Sequence, residues 1–281
     1  MSLVNTAVTS AIAIAERRSK RFGSNIYAGR SHVIMERGFT ALRRTNWFSF
    51  ASGFLEPVFF LLSFGFGVGQ LVGGITDGSG NSIPYAAYIA PALLATSAMN
   101  GAIYDSTWNV YFKMHFAHLY ETILSTSLGV LDVALGEISW ALWRGALYAS
   151  AFLAIMWPAG LITTPWAILA IFGAVFIAFG FASFGMAITS YLKSFQQMQW
   201  INFFLMPMFL FSGTFFPLTT YPDWLQLIVK ALPLWHGIEL ERALMLGIFS
   251  VDLLGHIAYF VVMIIIGLVF TTKRLNKVFL S

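Results

Sequence analysis

Long runs of this sequence carry almost no charge. From Trp47 to about Val72 the only charged residue is Glu56, and from about Trp166 to Tyr191 there is none. A helix of roughly 20 apolar residues matches the hydrocarbon thickness of a bilayer. It also satisfies its own backbone hydrogen bonds, which lipid requires of any spanning segment. The runs recur along the chain, which is 58% hydrophobic and only 10% charged. A soluble domain carries about 25% charged residues, so a water-facing surface cannot be built from this sequence. The fold expected is an all-α integral membrane protein with six transmembrane helices, at about 47–72, 85–103, 128–157, 166–191, 198–216 and 253–272. The 17% aromatic share fits the rings that gather at bilayer interfaces.

The segments between the spans have distinct characters. Residues 1–25 read as a mobile basic tail. Residues 26–46 alternate apolar positions such as Val33, Ile34, Phe39 and Leu42 with Arg30, Glu36, Arg37, Arg43 and Arg44. That pattern predicts an amphipathic helix lying in the membrane interface. A glycine-rich loop, 73–84, contains Asp77, Gly78 and Asn81. Residues 104–127 are polar, with Asp105, Asn109, Lys113, His115, His118 and Glu121. Residues 273–281 form a basic tail. No cleavable signal peptide is expected, because the cluster Arg17, Arg18, Lys20 and Arg21 follows the short apolar run Ala11–Ala15 instead of preceding it.

The positive charges give an orientation. Eight Lys/Arg lie before the first span; with Lys113, Lys193 and three in the tail they make 13 of the chain's 16 on one side. Lys230 and Arg242 lie on the other, and Arg144 lies within a span. Cytoplasmic loops carry the excess of Lys and Arg, so both termini are expected in the cytoplasm. The net charge of +4 then reflects topology and not nucleic-acid binding.

Several chemistries are missing. The absence of cysteine excludes disulfides and thiolate sites. No G-x-x-x-x-G-K-[ST] phosphate loop is present. The cluster Gly65, Gly67 and Gly69 lacks the lysine and reads as a site of close helix packing. His115 and His118 are spaced to share a helix face but have no evident third ligand, so no metal is expected. No G-x-S-x-G elbow occurs. The chain reads as no enzyme, and any uphill process must draw its energy from a partner or an ion gradient.

Glu56, Asp132, Glu137 and Arg144 form an intramembrane polar set. Charges at this depth face a bundle interior or a cavity. Glu137 and Arg144 are two turns apart on one helix face, too far for an ideal direct pair. Arg144 is therefore expected to reach an acid on another helix, with Glu56 a candidate. The set either contacts a substrate headgroup or fixes helix register as buried ion pairs.

The segment 217–252 is too charged and too interrupted by proline to span. Phe211-Ser212-Gly213-Thr214-Phe215-Phe216-Pro217 closes the fifth span, followed by Pro222-Asp223-Trp224-Leu225 and Leu232-Pro233-Leu234-Trp235-His236-Gly237. Two short helices, each opened by a proline, would dip into the outer leaflet and return. The pattern F-S-G-x-F-F-P, P-x-W-L, L-P-L-x-H-G and then Arg242 resembles the signature of ABC-2 type transporter permeases. It is most similar to the branch of nodulation-type lipo-oligosaccharide exporters and daunorubicin-type drug exporters. The signature positions are Gly213, Phe216, Pro217, Pro222, Trp224, Pro233, His236 and Arg242. Glu56-Pro57 with the three glycines, and Tyr88-Ile89-Ala90-Pro91 with Met99, resemble that branch's first two spans.

The resemblance implies a permease of the prokaryotic cytoplasmic membrane. It would work as a homo- or heterodimer with two separate ATPase subunits, which bind ATP and Mg; the chain itself binds no cofactor. It implies that the interfacial helix (Arg37, Arg43, Arg44) and the coupling loop 109–127 (Lys113, His115, Tyr120, Glu121) contact the ATPase. The substrate would be a lipid-like, glycolipid or amphiphilic molecule moved outward, or alternatively a hydrophobic drug. The first, second and fifth spans are candidates to line its path. A membrane-embedded lipid-carrier transferase and a secondary carrier are the readings of other classes.

Overall fold

The computed structural model describes residues 27–42, 55–72, 74–76, 82–162 and 164–279. The expected tail 1–25, the end of the interfacial helix with Arg43 and Arg44, the start of the first span, and Asp77, Gly78 and Asn81 lie outside the described residues. In chain order the elements are α1 (His32–Leu42), α2 (Leu55–Val72), β1 (Gly74–Thr76), β2 (Ser82–Pro84), α3 (Tyr85–His115), α4 (Leu119–Leu124) and α5 (Val130–Met156). They continue as α6 (Pro165–Tyr191), α7 (Gln199–Phe211), α8 (Asp223–Ala231), α9 (Pro233–Leu246) and α10 (Asp252–Phe279). Among the described residues, five helices are long and apolar enough to cross a membrane: α2, α3, α5, α6 and α10.

The centre is α3, α5 and α6, with α9 and α10 packed on α6. Its buried positions are rich in alanine, including Ala90, Ala95, Ala134, Ala174, Ala178 and Ala182. Lipid supplies no hydrophobic drive between helices, so small residues that let backbones approach do the joining. The tightest approach is between α6 and α10, where a methyl group on Gly267 would lie 2.6 Å from the Ser183 carbonyl carbon. Around this centre, α2, α7 and α10 present Phe59, Leu62, Phe203, Phe204, Leu254, Ile265 and Phe270 outward. The outside is thus as apolar as the inside, which suits lipid or another apolar face but not water.

Helix α1 is seated on α5. Ile34 is buried against Gly136, and Phe39 meets Trp140 and Trp143 edge-on. The Asp132 carboxylate accepts hydrogen bonds from the backbone N–H groups of Ala28 (2.6 Å), Arg30 (2.8 Å) and Gly129 (2.9 Å). One acid thereby caps α5 and ties down the segment leading into α1.

Three boundaries differ from those expected. The second span does not end at Ile103: α3 runs on to His115, through a π-helical stretch at Asp105–Asn109. The polarity of 104–115 is not that of a loop, because Asp105, Asn109 and Lys113 recur every four residues. Asp105 and Lys113 find their partners on α5. The fifth segment, expected over 198–216, is helical only from Gln199 to Phe211, after a 3₁₀ turn at Phe195–Met198. At about 1.5 Å per residue, α7 alone is shorter than the ~30 Å hydrocarbon core. The basic tail is not a separate piece: Lys273, Arg274 and Lys277 lie on the last turns of α10, where cations suit the negative end of the helix.

The reason α7 stops lies in the next residues. Gly213 adopts a left-handed φ of +76°, open to glycine at little cost. The carbonyls freed there are taken up by side chains. Arg242 donates to the Gly213 carbonyl at 2.6 Å, Tyr88 to the same oxygen at 3.3 Å, and Tyr85 to the Phe215 carbonyl at 3.3 Å. The chain then enters α8 after Pro222 and α9 at Pro233, as the prolines predict. Gly247, with φ +71°, ends α9.

Candidate functional site: a polar cleft and the segment that leads to it

α2, α3, α5 and α7 enclose a cleft of about 910 Å³. Its walls carry uncharged hydrogen-bonding groups, Ser97, Asn100, Asn109 and Asn202, beside the rings of Tyr104, Trp108 and Phe209. Three of its four elements are the first, second and fifth segments expected to line a path; α5 is the addition.

The charged groups divide into separate pairs and not one cluster. Arg144 reaches an acid on another helix, but it is Asp105 of α3 and not Glu56. Its Nη1 lies 2.6 Å from Asp105 Oδ1, and its Nη2 donates to the Tyr148 hydroxyl at 2.9 Å. Asn109 also donates to Asp105, at 2.6 Å. The physical reason is packing: α3 lies directly against α5, so their acid and base are desolvated together. α2 lies at the periphery, and its Glu56 lines the cleft across from Arg144. Glu137, one of the most buried acids at 5% side-chain exposure, pairs with Lys113. Asp132 belongs to neither pair, being spent on the cap described above. Asp105 was legible only as part of a polar stretch; its four-residue spacing to Asn109 was the signal that could have revealed a helix face.

A second cavity of about 290 Å³ lies beneath α1. Arg37 and Gly38 of α1 line it, with Asn109, Lys113, Glu137 and Trp140. Arg144 and Asn109 border both cavities, so they form the partition between the cleft and the space under α1.

The expected coupling residues are arranged unevenly. α3 ends at His115, and His118 turns the chain with a φ of +46°. His115 and His118 therefore do not share a helix face: the helix breaks between them. Among the described residues no three His, Asp or Glu side chains are grouped to hold a metal ion. His115 is exposed and packs on Tyr111. Lys113 turns inward to Glu137, and Tyr120 is 1% exposed, against Phe279. Burial and the nearby Glu137 hold the Tyr120 phenol well above its usual pKa. The surface of this segment is offered instead by Phe112, Phe116, His115, His118 and Glu121; the last two bond at 3.1 Å. Arg37 is also exposed.

The signature residues gather on the other side of the molecule. Arg242 stacks on the Tyr88 ring at 4.0 Å, donates to Glu239 at 2.7 Å and holds the Gly213 carbonyl. The arginine, the glycine and the Tyr-Ile-Ala-Pro run thus meet in one joint. Pro217 and His236 line a cavity of about 1000 Å³ there, and Trp224 and Phe216 are exposed. Glu241, not singled out in the sequence, is fully buried on α9, facing Gly173 of α6. Neither of its oxygens has a hydrogen-bond partner among the described residues. Burial raises its pKa well above the usual carboxylate value, which favours the neutral acid.

A helical bundle with an apolar exterior, an internal polar cleft and several segments of spanning length defines a multi-pass membrane protein. The ABC-2 type transporter profile matches residues 31–246. Nodulation protein J of Sinorhizobium fredii (strain NBRC 101917 / NGR234) is 32% identical over 215 residues, covering 76% of this chain and 80% of that protein. Nodulation protein J of Rhizobium leguminosarum bv. trifolii is 30% identical over 248 residues, covering 87% and 92%. The chain belongs to the ABC-2 type transporter family: it is a membrane component of a transporter and not itself an enzyme.

Proposed function

We propose that this chain is the permease of an ATP-driven exporter, moving an amphiphilic molecule, a glycolipid foremost, out across the cytoplasmic membrane. The observation that carries the reading is the cleft between α2, α3, α5 and α7. Its amide, hydroxyl and aromatic walls suit a polar head such as a saccharide. The exposed Phe203, Phe204 and Met206 of α7 lie beside it and suit an acyl chain. In this reading α7 is the fifth of six spans, α8 and α9 are re-entrant elements of the outer leaflet, and both termini are cytoplasmic. The apolar faces of α2 and α7 meet a second permease subunit.

Two ATPase subunits supply the energy. α1 and the segment from Phe112 to Glu121 receive their motion. α3 supports this role, because one continuous helix joins that segment to the cleft wall. The end of α10, with Lys273, Arg274 and Lys277, lies on the same side as the ATPase.

The aromatic face of α7 also favours a second reading, a hydrophobic drug as cargo. The test is the purified permease with its ATPase in liposomes. ATP hydrolysis stimulated by a lipid-linked saccharide and indifferent to apolar drugs supports the first reading; the reverse supports the second. Transport surviving ATP depletion would defeat both.

A further inference from the structure

The cavity of about 1000 Å³ beside the signature joint holds a feature that the proposed function leaves unassigned. His236 of α9 and His256 of α10 face each other with their Nδ1 atoms 2.8 Å apart. Neutral imidazole has one N–H and one bare nitrogen, so one ring donates here and the other accepts. The contact is built into both helices. His236 stacks on Tyr259 of α10 at 4.0 Å between ring centres, and Trp235 packs against His256. Tyr259 in turn donates to the Ala231 carbonyl at the end of α8, at 3.0 Å. The pair thus fastens the α8–α9 unit to the first turns of α10.

We propose that the His236–His256 pair is a proton-binding site, and that protonation of both rings releases α8 and α9 from α10 and widens this cavity. The pair tolerates one added proton, since an imidazolium still donates to a neutral partner, more strongly than before. It does not tolerate two, because both Nδ1 atoms then carry hydrogen and positive charge within contact distance. Burial first, and the neighbouring His256 second, push the His236 pKa down to about 4. A lowered pKa means the contact is intact above about 4 and is lost below it.

The other charged groups around the pair are accounted for. On α9, Glu239 and Arg242 are paired with each other, and Glu241 points away to α6. Asp252 of α10 and Lys230 of α8 line the cavity, with Lys230 also offering its backbone to His236. Tyr88 of α3 lies under Arg242. Glu239 and Asp252 lie close enough to His256 to attract a charge on that ring, so the first proton is drawn there and the proton on His236 is the second. That the site senses the outer compartment rests on the orientation proposed above; the release itself does not.

The test uses the full chain in lipid nanodiscs, where both faces meet the same buffer, so the result is independent of orientation. The chain has no cysteine, which allows spin labels at Leu227→Cys and Leu254→Cys, both exposed positions on α8 and α10. The expected result is a longer label separation at pH 4 than at pH 7, and no such change in His236→Phe. His236→Lys carries one charge at pH 7, which the pair tolerates, and is expected to keep the short separation there and lengthen only as His256 takes up a second. His256→Phe repeats the first comparison should His236→Phe fail to fold. An equal pH response in wild type and both Phe variants would overturn the proposal. So would no response in wild type, or lengthening at pH 7 on adding a zinc chelator.

Discussion

At the residue scale, the buried ion pairs decide the most. Arg144 and Asp105 sit on adjacent helices with little solvent, so removing one leaves the other buried without its counter-charge. Such a loss costs about 3 to 5 kcal/mol. Arg144→Ala and Asp105→Ala are each expected to lower the unfolding midpoint in detergent strongly, and the double variant less than the two effects added. Additive losses would mean the pair is not coupled. Glu241 makes the opposite case. Its raised pKa means the folded state holds a proton that the unfolded state releases above its ordinary value near 4.5. The acid therefore costs stability increasingly as pH rises from there. Glu241→Gln keeps the neutral shape, so its melting temperature is expected to match wild type near pH 4 and exceed it at pH 7.5. The sequence made the cost of charges at this depth plain, and it placed Arg144 opposite an acid on another helix. It did not identify that acid, because pairing across 39 positions depends on which two helices touch. Glu241 was hidden for the same reason: nothing in Glu239-Leu240-Glu241-Arg242 tells which glutamate meets the arginine and which faces Gly173.

At the element scale, the long apolar runs were enough to locate α5, α6 and α10, whose starts fall within a residue or two of those expected. What hydropathy missed is where a helix outlasts its apolar run. α3 crosses from buried apolar residues to ion-paired ones without stopping, so a reading of polarity as loop ends it too early. Thiol labelling can check this: Phe112→Cys and Phe116→Cys are expected to react readily with a water-soluble reagent and Met114→Cys, on the buried side, not to. Uniform reactivity across the three would contradict a helix. The glycines of α10 provide a second check. Gly267→Ala forces a methyl group against the Ser183 backbone and is expected to cost about 1 to 3 kcal/mol. Gly255→Ala meets nothing within 4 Å and is expected to be neutral or to gain up to about 1 kcal/mol. Melting temperatures of the two variants measure the contrast.

At the scale of the whole molecule, the irregular joint around Gly213 ties the family signature together. Arg242, Tyr88 and the Gly213 carbonyl converge from three segments far apart in sequence, which is why short motifs scattered along the chain could be read as one pattern. The cleft could be read only as a set of lining segments, because a uniformly apolar helix does not show from its sequence which face looks inward. The continuous path from the exposed end of α3, past the Lys113–Glu137 and Asp105–Arg144 pairs, to the cleft is the central claim about how this chain works. The direct measurement is ATP hydrolysis by the permease reconstituted with its ATPase, with and without a lipid-linked saccharide, in wild type and in a Phe112→Ala, Phe116→Ala, Glu121→Ala triple variant. The account predicts stimulation by the saccharide in wild type and its loss in the triple variant, with the permease still folded by its melting temperature. A folded triple variant with unaltered, stimulated hydrolysis would contradict it.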